Sequence, residues 1–282
     1  MKPCISLSVL AIAAMALPGC RDERPLPEAT EPRVVTYSPA LTRMVFDLGL
    51  GDHIVGVTDY CDLPDGSEIP RVGDINVVAE KILAVEPEIV LTQQAGAFEA
   101  FADQHKDLRV IHVEIDRLAD IPEAAIAVSA AMGDAATGQT RADLFNRALQ
   151  ETRQAVAELP RPRTLFLEGT DRPGVHSEGS FIDDMIQAAG GAPAAREIPG
   201  NQSWRKTRLE RIVAAGPEVL VVKTTAADEA ADRDYWMQWK DIPAVKAGRV
   251  HMVTDDAWMR PGLHMAELTA QMAAMIHPEL AP

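Results

Sequence analysis

AEKILAVEPEIVL, from Ala79 to Leu91, decides the fold, because the chain repeats it as LERIVAAGPEVLV, from Leu209 to Val221. Without a gap, Glu80 aligns with Glu210, Ile82 with Ile212, Ala84 with Ala214, Pro87 with Pro217 and Glu88 with Glu218. Type is also kept at Lys81/Arg211, Leu83/Val213 and Ile89/Val219. The offset of 130 residues is too long for stacked solenoid units, whose period is roughly 20–50 residues. Two similar lobes fit it better. Each copy reads locally as a short helix stopped before a proline and followed by a β-rich run.

Outward from these copies the chain alternates strand and helix. Val34 to Tyr37 reads as a strand, and Ser38-Pro39 as a helix cap with proline at the first helical position. That helix ends near Gly49, and Ile54 to Thr58, Ile89 to Thr92 and Val110 to Val113 supply further strands. Between Pro122 and Leu159 the pattern is helical only, broken once around Gly133. Its second segment, Thr137 to Leu159, places Leu144, Ala148, Leu149, Ala155, Val156 and Leu159 at helical spacing. At ~1.5 Å per residue it spans about 30 Å, and Pro160 and Pro162 end it. Alternation then resumes through Thr164–Glu168, a helix from Phe181 to Ala189 closed by Gly190-Gly191, Val219–Val222, Val250–Val253 and a last helix from Leu263 to Ile276. Trp236 and Trp239, three apart on a further helix, read as packing residues. The expected class is α/β: two similar lobes, each a mostly parallel sheet flanked by helices, joined by one long helix. The expected segments are residues 33–121, 122–159 and 160–282.

The chain has 282 residues and a net charge of −15, which excludes a general nucleic-acid binder. Its N-terminus carries Lys2, an apolar run from Ile5 to Leu17, and small residues before Cys20. This reads as an export signal, too short to cross a bilayer. Leu17, Gly19 and Cys20 resemble the lipobox of bacterial lipoproteins, although Pro18 stands where a small residue is usual; a plain secretory signal cut elsewhere is the other reading. In the first reading residues 1–19 leave, Cys20 is lipidated, and residues 20–32, rich in Pro and Glu, form a solvated tether. Cys4 and Cys20 are then accounted for, so Cys61 stands alone and no disulfide framework is expected.

The doubled phrase, the opening strand with Ser38-Pro39, Gly190-Gly191, Ala244-Val245-Lys246-x-Gly248-Arg249-Val250 and the closing His277-Pro278-Glu279 together resemble the helical-backbone substrate-binding proteins of ABC importers. That family includes receptors for vitamin B12, ferric siderophores and haem. The resemblance covers Arg33 to Glu279 and implies a ligand cleft between the lobes, no catalysis, and a monomer that delivers its ligand to a permease dimer with its ATPase subunits. It implies a periplasmic or cell-surface location, with membrane contact through the lipid anchor only. By position Glu80 and Glu210 match glutamates that dock on permease arginines, one per lobe, which suits a twofold transporter. Read without the resemblance, each glutamate favours the positive end of its own helix. Glu88 and Glu218 read as solvated.

Ligand contacts are expected from loops after strand carboxyl ends. These are Tyr37 and Ser38; Tyr60 and Asp62; Gln93 and Gln94; and Asp256, Trp258 and Arg260. Tyr60 lies in a Gly-Val-x-x-Tyr-x-Asp-x-Pro stretch, and Trp204 stands six residues before Glu210, both resembling aromatics of the B12-binding members. The alternatives are a half-buried loop tyrosine and a rim tryptophan. A corrinoid suits facing aromatics with amide partners such as Gln93, Gln94 and Asn201. A ferric siderophore needs cations, for which Arg71, Arg205, Lys206 and Arg260 are candidates, and haem needs an axial ligand such as Tyr60. No intrinsic cofactor is expected, and the seven histidines are scattered without metal-site spacing. Arg43, where relatives commonly carry glutamate, and Cys61 depart from the family pattern. No nucleophile elbow or phosphate loop supports an exported hydrolase, the remaining alternative.

Overall fold

The first strand, β1 (Val34–Tyr37), is buried at every position and passes through Ser38, in extended backbone, into α1 (Pro39–Asp47). Proline occupies the start of α1, where its missing N–H costs nothing. The computed structural model describes residues 32–74 and 76–280; the signal, Cys20 and most of the tether lie outside the described residues. The first lobe continues with β2 (Ile54–Val57), α2 (Ala79–Leu83), β3 (Ile89–Thr92), α3 (Ala95–Gln104) and β4 (Arg109–His112). Its four strands run parallel in the order β2-β1-β3-β4. Two helices follow, α4 (Asp120–Ala131) and α5 (Ala135–Ala155).

The second lobe contains β5 (Arg163–Glu168), β6 (Gly174–His176), α6 (Phe181–Ala188), β7 (Ala192–Pro193), β8 (Trp204–Lys206), α7 (Leu209–Ala215), β9 (Val219–Lys223), α8 (Glu229–Met237), α9 (Pro243–Lys246), β10 (Val250–Val253) and α10 (Met265–Ile276). Its main path is β10-β9-β5-β6-β8. The pairs β10–β9 and β9–β5 are parallel, but β5–β6 and β6–β8 are antiparallel. The second sheet is therefore mixed. Strands of three residues fall below the length at which alternation is readable, so β6 and β8 escape a sequence reading.

The doubled phrase enters its sheet in the same register in both lobes, although α7 runs two residues longer than α2. Val34 pairs with Ile89 and Thr164 with Val219, again 130 residues apart. The Glu88 N–H donates to the Arg33 carbonyl at 2.8 Å, and the Glu218 N–H to the Arg163 carbonyl at 2.7 Å. A left-handed residue precedes each proline, Glu86 at φ 45° and Gly216 at φ 55°; Gly216 caps α7 directly, whereas α2 is already over at Leu83. Glu218 is more than solvated: its carboxylate accepts the Arg163 N–H at 2.8 Å.

The bridging helix α5 buries Gly138, Ala142, Phe145, Leu149 and Thr152 against α4 and α10. This corrects the expected stripe. Leu144 is 48% exposed and Ala155 is exposed too, because the period that contains Leu149 runs through Phe145 and Thr152. One apolar cluster extends from Val34 and Leu41 through Phe145 and Leu149 to Phe166, Ile182 and Met272, so the lobes share a core across the bridge. The polar counterpart is Arg117, before α4, whose guanidinium donates to both Asp184 oxygens on α6 at 2.8 and 2.5 Å.

Candidate functional site

The parallel strands place their carboxyl ends at one side of each sheet, and the two sides face each other. The contact that shows this is an ion pair between Asp62, in the loop after β2, and Arg260, in the loop after β10. Arg260 also lies 3.7 Å from Asp256, which accepts at 2.8 Å from Lys223 at the end of β9. Lys223 is buried and donates further to the carbonyls of Thr224 and Thr254. An alternating chain of charges thus crosses from the second lobe to the first.

On the first lobe, Ser38 is an N-cap by backbone only. Its hydroxyl bonds Gln93 instead, tying the end of β1 to the loop after β3. The Gln93 carbonyl lies 3.1 Å from His112 Nε2, and the Gln94 N–H donates to Thr92 Oγ1 at 3.0 Å. Gln94 then caps α3, so the Gln93–Gln94 corner is a short turn between strand and helix. Behind the loop after β2, the buried Cys61 thiol sits 3.0 Å from the hydroxyls of both Thr42 and Thr58. The cysteine holds the loop on α1 while Tyr60, one residue before it, points outward.

Exposure separates the expected aromatics. Among the described residues the exposed ones are Tyr60, at 57%, and Trp204, at 44%. Trp204 stands on the edge strand β8, whose exposed–buried–exposed alternation also turns Lys206 outward and Arg205 inward. Three expected cleft residues lie in the interior instead, Ser38 among them, with its hydroxyl turned to Gln93. Trp258 is 3% exposed and stacks on Phe166 at 6.1 Å. Tyr37 is buried edge-on against Phe98 and donates its hydroxyl to the Asn76 carbonyl at 2.5 Å. Burial, with the charges of Asp74 and Asp59, pushes that hydroxyl above its ordinary pKa. Tyr37 closes β1, which is buried at every position, and Trp258 lies in the turn after β10; tertiary packing buries both, which loop position alone does not reveal.

Of the expected cations, Lys206 is exposed on β8 and Arg260 pairs with Asp62, while Arg205 and Arg71 are engaged with backbone carbonyls. Arg205 is buried and donates to the carbonyls of Gln202, Ala195 and Ile198. Arg71 holds the carbonyls of Thr58 and Cys61 at 2.6 and 2.7 Å. Asn201 is exposed, as expected of an amide partner, and so is Asp62. Sequence reasoning missed Glu168, at the end of β5, which accepts from the Trp204 indole N–H. Its signal is only its place, a carboxylate ending a strand. Glu80 and Glu210 are both exposed, each in the first turn of its helix. Among the described residues no cluster of three metal-ligating side chains occurs.

Paired α/β lobes with facing loop ends, rigidly bridged, make a receptor that holds a solute rather than transforms one. The chain belongs to the periplasmic binding protein family, whose profile matches residues 34–257. It is accordingly a solute-binding protein of the ABC-importer type and not an enzyme. It is 26% identical over 260 residues to an uncharacterized ABC transporter substrate-binding lipoprotein, YvrC, of Bacillus subtilis, covering 88% of this chain and 80% of that one. It is also 26% identical over 247 residues to the vitamin B12-binding protein of Vibrio cholerae, covering 81% of this chain and 83% of that one. Among solved structures, the apo periplasmic heme-binding protein RhuT of Roseiflexus sp. RS-1 superposes with a TM-score of 0.75 at 23% identity, covering 89% of this chain and all of that one.

Proposed function

We propose that this protein captures a corrinoid and delivers it to a twofold permease with its ATPase subunits. The observation that carries the ligand choice is the pairing of an exposed aromatic on each lobe, Tyr60 and Trp204, with Lys223 and Arg260 already paired to carboxylates. A corrin is broad, partly apolar and fringed with amides, so it needs stacking faces and amide partners rather than free cations. Tyr60 and Trp204 supply the faces; Gln93, Gln94 and Asn201 supply polar partners. An anionic ferric siderophore would have to compete with Asp62 and Asp256 for Arg260 and Lys223. The similarity to a vitamin B12-binding protein over most of both chains supports the same choice.

Haem is the second reading, favoured by one feature: the Tyr60 phenol is exposed and available as an axial ligand. We further infer that the protein is exported, lipidated at Cys20 and held at the membrane as a monomer by a tether of residues 20–32, as its similarity to a substrate-binding lipoprotein suggests. Glu80 and Glu210 are the permease-docking residues in this reading, one carboxylate for each half of the transporter.

The deciding experiment is gel filtration of purified protein mixed with cyanocobalamin, with haem or with a ferric siderophore, read by visible absorbance. Cyanocobalamin should co-elute in equal amount. Co-elution of haem or of the siderophore alone replaces the corrinoid assignment.

A further inference from the structure

Trp204 is exposed, yet its ring is not loose. Strands β5, β6 and β8 place Glu168 opposite Gly174, Gly174 opposite Lys206, and His176 opposite Trp204. The indole leans back across β6, and its Nε1–H donates to the Glu168 carboxylate two strands away. That reach depends on Gly174. A Cβ built there would lie 2.8 Å from Glu168 Oε1 and 2.9 Å from Trp204 Nε1, closer than real Cβ contacts come, so a side chain would wedge the pair apart. Behind them, the buried His176 ring packs edge-on against Phe166, with Nε2 3.6 Å from the same Glu168 oxygen. That nitrogen has no hydrogen-bond partner of its own, so Glu168 is held between a buried imidazole and an exposed indole.

The arrangement has an energetic consequence for stacking. An exposed tryptophan on a three-residue edge strand would otherwise sample several rotamers, and a ligand stacking on it would have to select one. Ordering a side chain at an interface costs about 0.5–1.5 kcal/mol. We propose that Glu168 is a positioning residue that holds the Trp204 indole as a preset stacking platform for the ligand, with Gly174 left bare so that carboxylate and indole can meet. Glu168 does not itself touch the ligand; it acts through the ring. The inference rests on Trp204 facing the ligand, as proposed above, and extends it to two residues that neither sequence position nor exposure would single out.

The test combines two readouts on the whole purified protein. Indole ¹⁵N–¹H spectra without ligand report the anchor, the Trp204 signal being assigned by its loss in Trp204→Phe. Titration with cyanocobalamin, and with haem if cyanocobalamin does not bind, reports the platform. Glu168→Ala and Gly174→Ala should both displace the Trp204 signal and weaken binding about 3–10-fold, the effect of having to order one side chain. Glu168→Gln keeps an acceptor oxygen, so its signal and affinity should stay within about 2-fold of wild type by restoring the same hydrogen bond. Trp204→Phe lacks the N–H, so adding Glu168→Ala to it should cost nothing further. An unmoved Trp204 signal in Glu168→Ala, unchanged affinity despite a moved signal, or full additivity with Trp204→Phe overturns the inference. Haem binding in place of cyanocobalamin overturns the corrinoid reading alone, the variants then being judged with haem. Binding of neither ligand overturns both.

Discussion

Glu168 illustrates how a single ionisable group couples packing to the site. The neighbouring His176 imidazole lowers its pKa most; burial works in the opposite direction, and the Trp204 N–H adds to the lowering. A carboxylate whose folded pKa lies below its unfolded value contributes fully above the unfolded value and loses that contribution as pH falls through the folded one. The Trp204 indole signal should therefore stay constant from neutral pH through the ordinary glutamate range, near ~4.3, and move only below it. A midpoint at or above that value would contradict the assignment. Asp183 bears on stability through a buried ion pair. It is fully buried on α6, chelated by Arg196 at 3.0 and 2.5 Å and bonded by Gln187 at 2.9 Å. Arg196→Met leaves that charge uncompensated and should cost about 2–4 kcal/mol, somewhat less than a fully buried pair because Gln187 remains. Urea unfolding should show a lower midpoint at unchanged slope.

The short helices α2 and α7 show how far a repeated phrase dictates local structure. Pro217 follows the cap of α7 directly, whereas α2 ends at Leu83, ahead of Pro87, and the residue before each proline turns left-handed. In the second copy that residue is Gly216, which adopts φ 55° freely; in the first it is Glu86 at φ 45°, a conformation that costs a side-chain-bearing residue about 1–2 kcal/mol. The Arg33 guanidinium bonds the carbonyls of Val85 and Glu86 at 2.7 and 3.0 Å and so secures the strained turn. Glu86→Gly should stabilise the protein by about 0.5–1 kcal/mol, the strain relief exceeding the entropy lost by glycine. Thermal unfolding reads it, and a lower midpoint would show that the Glu86 side chain contributes more than its backbone costs. The same helices were legible in the chain because glutamate, isoleucine and proline recur in order. The edge strands β6 and β8 were not, since three residues contain too little alternation, and their antiparallel pairing depends on partners distant in sequence.

Two pseudo-equivalent lobes, a shared core through α5 and ion pairs at Arg117–Asp184 and Asp62–Arg260 describe a receptor whose halves keep a set relation. In the docking proposal, that relation spaces Glu80 and Glu210 for a twofold permease. Charge reversal at both, Glu80→Lys with Glu210→Lys, should abolish transport while leaving ligand affinity unchanged, because the exposed carboxylates stand on the helices before β3 and β9 rather than in the loops after them. Unimpaired uptake by the double variant would end the docking assignment.

Local order was written in the chain: strand and helix alternation, the proline stops, the long bridge and the doubling at an offset of 130 residues all follow from residue type and spacing. Which side chains face the cleft was not. Tyr37 ends a strand and Trp258 follows one, as Tyr60 does, yet both are interior while Tyr60 is exposed. The Trp204–Glu168 contact spans 36 residues and the Arg260–Asp62 contact 198. Burial and charge pairing are properties of what lies opposite a residue in space, and only the packing of strands, helices and loops within and between the lobes supplies that neighbour.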